Sequence, residues 1–121
     1  MKERTVTVKI GGRAAADKGV LARLAEEMGR LKKEIDLILV HGGGAEVSKV
    51  TKLFGLEPVF RDGVRMTSPE EMDIVDMVLA GKMNKYLVRL FNLYTGAVGL
   101  SGSDGHLFTG KCLYCGEDET T

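Results

Sequence analysis

Residues 5–10, Thr-Val-Thr-Val-Lys-Ile, alternate polar and apolar positions and are β-branched nearly throughout, which predicts a strand. After Asp17, a residue suited to cap a helix, apolar side chains return at Val20, Leu21, Leu24, Met28 and Leu31, the spacing of one helical face. Gly29 weakens that helix locally. Residues 35–40 are almost wholly apolar, as in a strand covered on both faces. A glycine triplet follows. Residues 45–54 then place Val47, Val50 and Phe54 on one side of a further helix, which Gly55 closes from the C′ position. Strand, helix, strand, helix with short connections predicts a parallel βαβ core.

The pattern changes from Pro58 onward. Pro58-Val-Phe60 and Val64-Arg-Met66 flank Asp62-Gly63, a dipeptide of tight two-residue turns, and predict a short hairpin. Ser68 as cap, Pro69 in the first turn and Glu71 three residues after the cap mark the start of a helix. Between Pro69 and Ala80 that helix carries Met72, Ile74, Val75, Met77, Val78 and Leu79, a stripe wider than one core face needs. Two readings stay open: burial against a second subunit, or a central helix within one domain. Gly81 is expected to interrupt it, and residues 83–93 to resume as a helix with Tyr86, Leu87, Leu90 and Phe91 inward. Residues 97–101, Ala-Val-Gly-Leu-Ser, read as a third core strand. Residues 102–105 read as a turn and 106–114 as a last strand. Residues 1–115 thus form one α/β unit, three-layered (αβα), with a mainly parallel sheet and a small hairpin. Residues 116–121 are an acidic tail, frayed or a truncated linker.

Charge narrows the partners. Lys plus Arg and Asp plus Glu both number 17 in the 121 residues, so no net field draws in nucleic acid or an anionic membrane. Aromatic residues, at 6%, are too few for a base-stacking platform. Residues 1–5 lack the apolar core of a signal peptide, and no apolar run approaches the ~20 residues of a membrane span. A cytoplasmic enzyme or binding module is the expectation. Cys112 and Cys115 are spaced as a redox pair or as half of a zinc site with His106 as a third ligand. No helix reads after Cys115 and no second ligand pair exists, so reduced thiols near a strand end fit better.

The chemistry concentrates in two glycine turns that each follow an apolar strand, Val8-Lys-Ile-Gly-Gly12 and Leu39-Val-His-Gly-Gly-Gly44. Moving a phosphoryl group needs positive charge and oriented donors around charged oxygens. Lys9 supplies charge at a strand end. Gly11, Gly12, Gly42, Gly43 and Gly44 supply unobstructed N–H groups, with a helix start near Gly44 adding its positive pole. Neither turn is a P-loop or a dinucleotide fingerprint. Taken singly, each is equally a structural turn; as a pair on adjacent parallel strands they point to an anion site beyond the carboxyl edge of the sheet.

Five ordered motifs carry a resemblance: Val8-Lys-Ile-Gly-Gly12, Val40-His-Gly-Gly-Gly44, Arg61-Asp-Gly-Val-Arg-Met-Thr67, Val78-Leu-Ala-Gly-Lys-Met-Asn-Lys85 and Ala97-Val-Gly-Leu-Ser-Gly-Ser-Asp-Gly105. Across residues 5–111 the chain resembles the amino acid kinase family, most closely its acetylglutamate-phosphorylating branch. The resemblance implies the amino-acid-binding and dimerisation lobe of a carbamate kinase-like fold. It implies transfer of the γ-phosphoryl group of ATP, with Mg2+, to the side-chain carboxylate of N-acetyl-L-glutamate or a related acidic amino acid in arginine synthesis.

By the same resemblance Lys9, Gly12 and Gly43 stabilise the moving phosphoryl group, and Gly11, Gly42 and Gly44 shape the loops. Gly63, Val64 and Arg65 line the amino acid pocket, Arg65 holding the α-carboxylate. A guanidinium fork suits a carboxylate, although by its residues alone Arg65 is also a solvated hairpin arginine. Asn84 and Lys85 are read as helix surface or helix packing. No residue is assigned to a metal. The family's nucleotide-binding half has no counterpart here, so a truncated chain is expected, inactive alone and weak toward nucleotide. Only residues 1–4 precede the first strand, which favours an arginine-insensitive homodimer joined through the helix from Pro69 to Ala80. An aminoadipate kinase of carrier-protein lysine synthesis and a non-catalytic amino-acid-binding or dimerisation module are the alternatives.

Overall fold

Two six-residue strands set the frame, β1 (Thr5–Ile10) and β2 (Asp36–His41), paired in parallel with Thr5 opposite Asp36 and Ile10 opposite His41. The computed structural model describes residues 4–111. Cys112, Cys115, the end of the expected last strand and the acidic tail lie outside the described residues. The chain leaves β1 through a short helix that the sequence pattern did not predict, α1 (Gly12–Ala16), and enters α2 (Lys18–Leu31). Asp17 caps α2 as expected, its carboxylate accepting from the Val20 N–H at 3.0 Å. Helix α3 (Gly44–Leu53) follows β2, and Gly55 beyond it has φ +76°, the left-handed conformation of a helix stop.

The hairpin forms where Asp62-Gly63 predicts it. Strands β3 (Val59–Arg61) and β4 (Val64–Met66) are antiparallel, and both turn residues have positive φ, 49° and 79°. Ser68 then caps α4 (Pro69–Asp76), accepting from the Glu71 N–H at 3.2 Å.

Gly81 does not break the helix. Between α4 and α5 (Asn84–Phe91) the chain continues through a π-helical segment, Met77–Met83, whose wider turn accommodates Gly81 without a stop. The segment redirects the apolar face. Ile74 and Val78 bury against Val47 of α3, whereas Leu87 and Phe91 bury against Ile10 and the α2 residues Leu21, Ala25 and Met28. Leu37 and Leu39 of β2 join the second cluster, so α2 and α5 cover one face of the parallel pair. On the opposite face Ile38 and Val40 are 51% and 44% exposed, where the sequence predicts cover on both sides. Leu31 and Phe54 are also exposed, because each stands at the carboxyl end of its helix as the chain turns away.

Residues 97–101 are not a third strand: the parallel sheet of the described residues is β1 and β2 alone. Side chains take the place of a ladder. Asn92 Oδ1 accepts from the Ala97 N–H at 2.8 Å, Lys85 Nζ donates to Gly99 O at 3.0 Å, and Asn84 Nδ2 donates to Leu100 O at 3.1 Å. The Asp104 carboxylate accepts from the Ser101 N–H and hydroxyl, which holds its carboxyl below the ordinary carboxylate range. Four backbone groups of the segment, Ala97 N–H, Gly99 O, Leu100 O and Ser101 N–H, are thus satisfied by side chains rather than by β2. A cavity of about 190 Å³ separates residues 95–99 from Leu37, Leu39 and His41. Past a 3₁₀ turn, Asp104–His106, residues 107–111 form no strand either.

Candidate functional site

Register decides where the glycine turns stand. With Lys9 opposite Val40 and Ile10 opposite His41, both turns leave the same carboxyl edge of the sheet side by side. Gly12 starts α1 with φ +55°, a conformation in which a Cβ is strained. Gly43 precedes α3 and is tightly packed: a Cβ there would lie 2.8 Å from Leu79 Cδ2 and 3.1 Å from Met83 Cγ. This turn is therefore clamped against the π-helical segment. A Cβ on Gly11 would lie 2.6 Å from Lys9 Nζ, so the exposed Lys9 side chain folds its ammonium over the first turn.

Both turns open on one cleft of about 700 Å³, with Gly12, Gly43 and Gly44 in its wall. Among the described residues, Lys18, Lys49, Lys82 and Arg89 line it against the single carboxylate of Glu46, so its charge is positive. Glu46 accepts a hydrogen bond from Lys82, and that bond, with the nearby Lys49 ammonium adding to it, holds the Glu46 carboxyl below the ordinary range. Lys9, Gly11, Gly42 and Arg65 are not in the cleft wall.

Arg65 stands on a different flank of α3. The hairpin delivers it to the first turns of α3 and α4, where Nη1 donates to Glu71 Oε1 at 2.8 Å and Nη2 donates to Ser48 Oγ and, at 3.2 Å, to Gly44 O. Three of its five N–H groups are thus engaged. The guanidinium also lies over the Phe60 ring, 4.7 Å from its centre. The Arg65 and Glu71 side chains are 15% and 6% exposed, so the pair is withdrawn from water rather than lying on the surface. The Gly44 contact joins this arginine to the residue that begins α3, while Gly63 and Val64 form the hairpin turn and the strand leading to it.

Sequence reasoning missed Glu71, Ser48 and the cationic wall. Glu71 was legible only as a helix-start residue; its carboxylate turns to Arg65 instead of back to the cap. The repeated lysines of α3, Lys49 and Lys52, carry no sign of which one faces a cleft. Asn84 and Lys85 pack residues 99 and 100 against α5, within the packing reading. His106, exposed and with φ 56°, stands outside any metal cluster among the described residues.

The family model described as the amino acid kinase family matches residues 4–120. The chain is similar to the acetylglutamate kinase of Solidesulfovibrio magneticus, 44% identical over 112 residues, covering 91% of this chain and 38% of that enzyme. It is also similar to the acetylglutamate kinase of Aquifex aeolicus, 42% identical over 115 residues, covering 91% of this chain and 39% of that enzyme. Among solved structures it is similar to N-acetylglutamate synthase from Neisseria gonorrhoeae complexed with coenzyme A and N-acetyl-glutamate. That likeness has a TM-score of 0.61 at 25% identity, and covers 76% of this chain and 22% of that one. The chain spans 38% and 39% of the two kinases' lengths.

Proposed function

The chain belongs to the amino acid kinase family, and from that premise we propose that it is the amino-acid-binding lobe of a cytoplasmic acetylglutamate kinase serving arginine synthesis. One observation carries the reading: two glycine turns leave neighbouring parallel strands and open on a single cleft walled, among the described residues, by four cationic side chains and one carboxylate. Phosphoryl transfer asks little covalent chemistry of a protein and much positioning and charge, which is what these turns offer. Lys9 supplies an ammonium over the first turn, and the open N–H groups of Gly12 and Gly43 supply donors. Arg65 retains two N–H groups beyond its three bonds, enough to anchor the α-carboxylate of the amino acid next to Gly44.

ATP with Mg2+ would supply the phosphoryl group. The cationic cleft and bare amides suit its phosphates. Among the described residues no three His, Cys, Asp or Glu converge, so the donor set here does not suit a bare Mg2+ ion; the cation fits as a passenger on the phosphates.

The test is turnover by the complete polypeptide that carries this lobe, with N-acetyl-L-glutamate and MgATP, the acyl phosphate being trapped by hydroxylamine. Formation of the side-chain hydroxamate of N-acetylglutamate is expected there and not from the 121-residue chain alone. Turnover only of an aminoadipate-type substrate, or binding without turnover, would replace this reading with one of the two alternatives.

Assembly follows from the outer side of α4 and the π-helical segment. Met72 and Met77 are 51% and 53% exposed while Ile74 and Val78 are buried, so the helix has a second apolar side beyond the one the core uses. We place the two-fold contact of a homodimer there. Sedimentation of the chain at micromolar concentration is expected to show a dimer that Met77→Glu disrupts. A monomer at all concentrations would remove this interface.

A further inference from the structure

His41 ends β2 immediately before the second glycine turn, and its two ring nitrogens have fixed and opposite duties. The relay begins at Leu100, whose carbonyl oxygen can only accept. Asn84 Nδ2 lies 3.1 Å from it, so the amide nitrogen must face that carbonyl. The same nitrogen lies 3.2 Å from His41 Nε2, which must therefore present a lone pair. His41 Nδ1 lies 3.1 Å from Gly42 O and must donate to it. One carbonyl thus sets the amide, the amide sets the imidazole, and the imidazole sets the first carbonyl of the glycine turn. The network assigns a neutral ring protonated on Nδ1. Asn84 is 6% exposed, and its Oδ1 is buried without a partner among the described residues, lying where a Cβ on Gly99 would come within 2.1 Å. The fold tolerates that orphan oxygen because turning the amide over would set oxygen against the Leu100 carbonyl.

We infer that His41 and Asn84 are positioning residues, which hold the Gly42–Gly44 turn to α5 and to residues 99–101 only while the imidazole is neutral. Protonation would set an Nε2–H against the Asn84 NH₂, donor against donor. The amide would then rotate to offer Oδ1 to the imidazolium, and Leu100 O would lose its donor. The charged groups around the ring are few. On α5, Lys85 donates to Gly99 O; across the small cavity, Lys32 is paired with Asp36 Oδ1 at 2.7 Å. The other neighbours from α5, Leu87 and Val88, are apolar, as is Ile10 opposite it on β1. Of the nearby carboxylates, Asp36 is paired with Lys32 and Asp104 is engaged by the Ser101 N–H and hydroxyl. Two surfaces are coupled through one ring: a turn read above as holding phosphate, and a segment that side chains, not a β-ladder, keep in place. The consequence for catalysis rests on that reading of the turn; the hydrogen-bond relay does not.

The experiment is ¹⁵N NMR of the chain as it stands. At the alkaline end of a pH titration the His41 ring is expected as the Nδ1–H tautomer, and on acidification the amide signals of Gly42–Gly44 and of residues 99–101 should move together with the signals of the ring. In Asn84→Ala the glycine-turn signals should still follow the ring and those of residues 99–101 should not. An Nε2–H tautomer at the higher pH overturns the proposal, as do unrelated midpoints for the two segments. Should Asn84→Ala not fold, the tautomer and midpoints of the unmodified chain decide. Because no turnover is measured, failure here leaves the kinase reading standing, and failure of that reading leaves the relay standing.

Discussion

Glu71→Ala is expected to lower the stability of this lobe by about 3–5 kcal/mol, the usual result of leaving one partner of a buried ion pair uncompensated. For a domain of this size that should drop the melting temperature by roughly 10 °C or more. The expectation comes from Arg65, whose side chain is 15% exposed and lies among Glu71, Ser48, Gly44 and Phe60, with little water at hand to replace a lost carboxylate. Glu71→Gln keeps an oxygen acceptor and should fall between the two. The double variant Arg65→Met with Glu71→Leu should recover much of the loss, because an apolar pair avoids desolvating either charge. A ligand carboxylate would offer Glu71→Ala the missing anion. N-acetyl-L-glutamate should therefore raise the melting temperature of Glu71→Ala and leave the double variant unchanged, since only the former retains the arginine. A Glu71→Ala protein within about 1 kcal/mol of the parent would show that the pair is a loose surface contact and that the hairpin is held by packing alone.

The elements that local rules govern were legible, and those decided by competition between distant groups were not. Asp17, Ser68 and Asp62-Gly63 each act within three or four residues, so α2, α4 and the hairpin form where their caps and turn place them. Residues 97–101 read as a short apolar strand, yet four of their backbone groups are taken by Asn84, Lys85, Asn92 and Asp104. Nothing in a window of apolar residues reveals that an asparagine on the preceding helix will outbid a neighbouring strand. Gly81 misled in a related way: its cost in a helix is real, but packing of Val78 and Leu87 on two different clusters holds the helix through it.

At the site, the glycine turns were legible because glycine after an apolar strand is a local signal. The Arg65 and Glu71 pair was not, since α4 had to be placed against the hairpin before a helix-start glutamate could be seen as an arginine's partner. The cationic cleft was least legible of all: its lysines and arginine come from α2, α3, the π-helical segment and α5, elements that periodicity can place but not orient.

Lys9→Met in the complete polypeptide is expected to reduce kcat by about 10²–10³-fold, the scale on which removing one preorganised charge or donor from a developing transition state is felt. The side chain is exposed and carries no packing of the core, so the melting temperature should stay within a degree or two of the parent. Affinity for the amino acid should also be unchanged if, as proposed, that contact is made by Arg65, which lies on the other flank of α3. The combination separates a role in the reaction from one in the fold, since a loss confined to kcat and kcat/KM marks an interaction made only as the phosphoryl group moves. Lys9→Arg is not expected to restore the rate: a planar fork presents its charge differently from the compact ammonium that lies over Gly11. Gly11→Ala probes the same geometry from the other side. Its new methyl group would stand 2.6 Å from the present position of Lys9 Nζ and must displace it. A kcat loss in the direction of Lys9→Met, with the charge retained, would locate the effect in where the ammonium sits and not merely in its presence. Turnover within about tenfold of the parent in Lys9→Met would remove this lysine from the transition state and leave the charge to the lysines of the cleft wall.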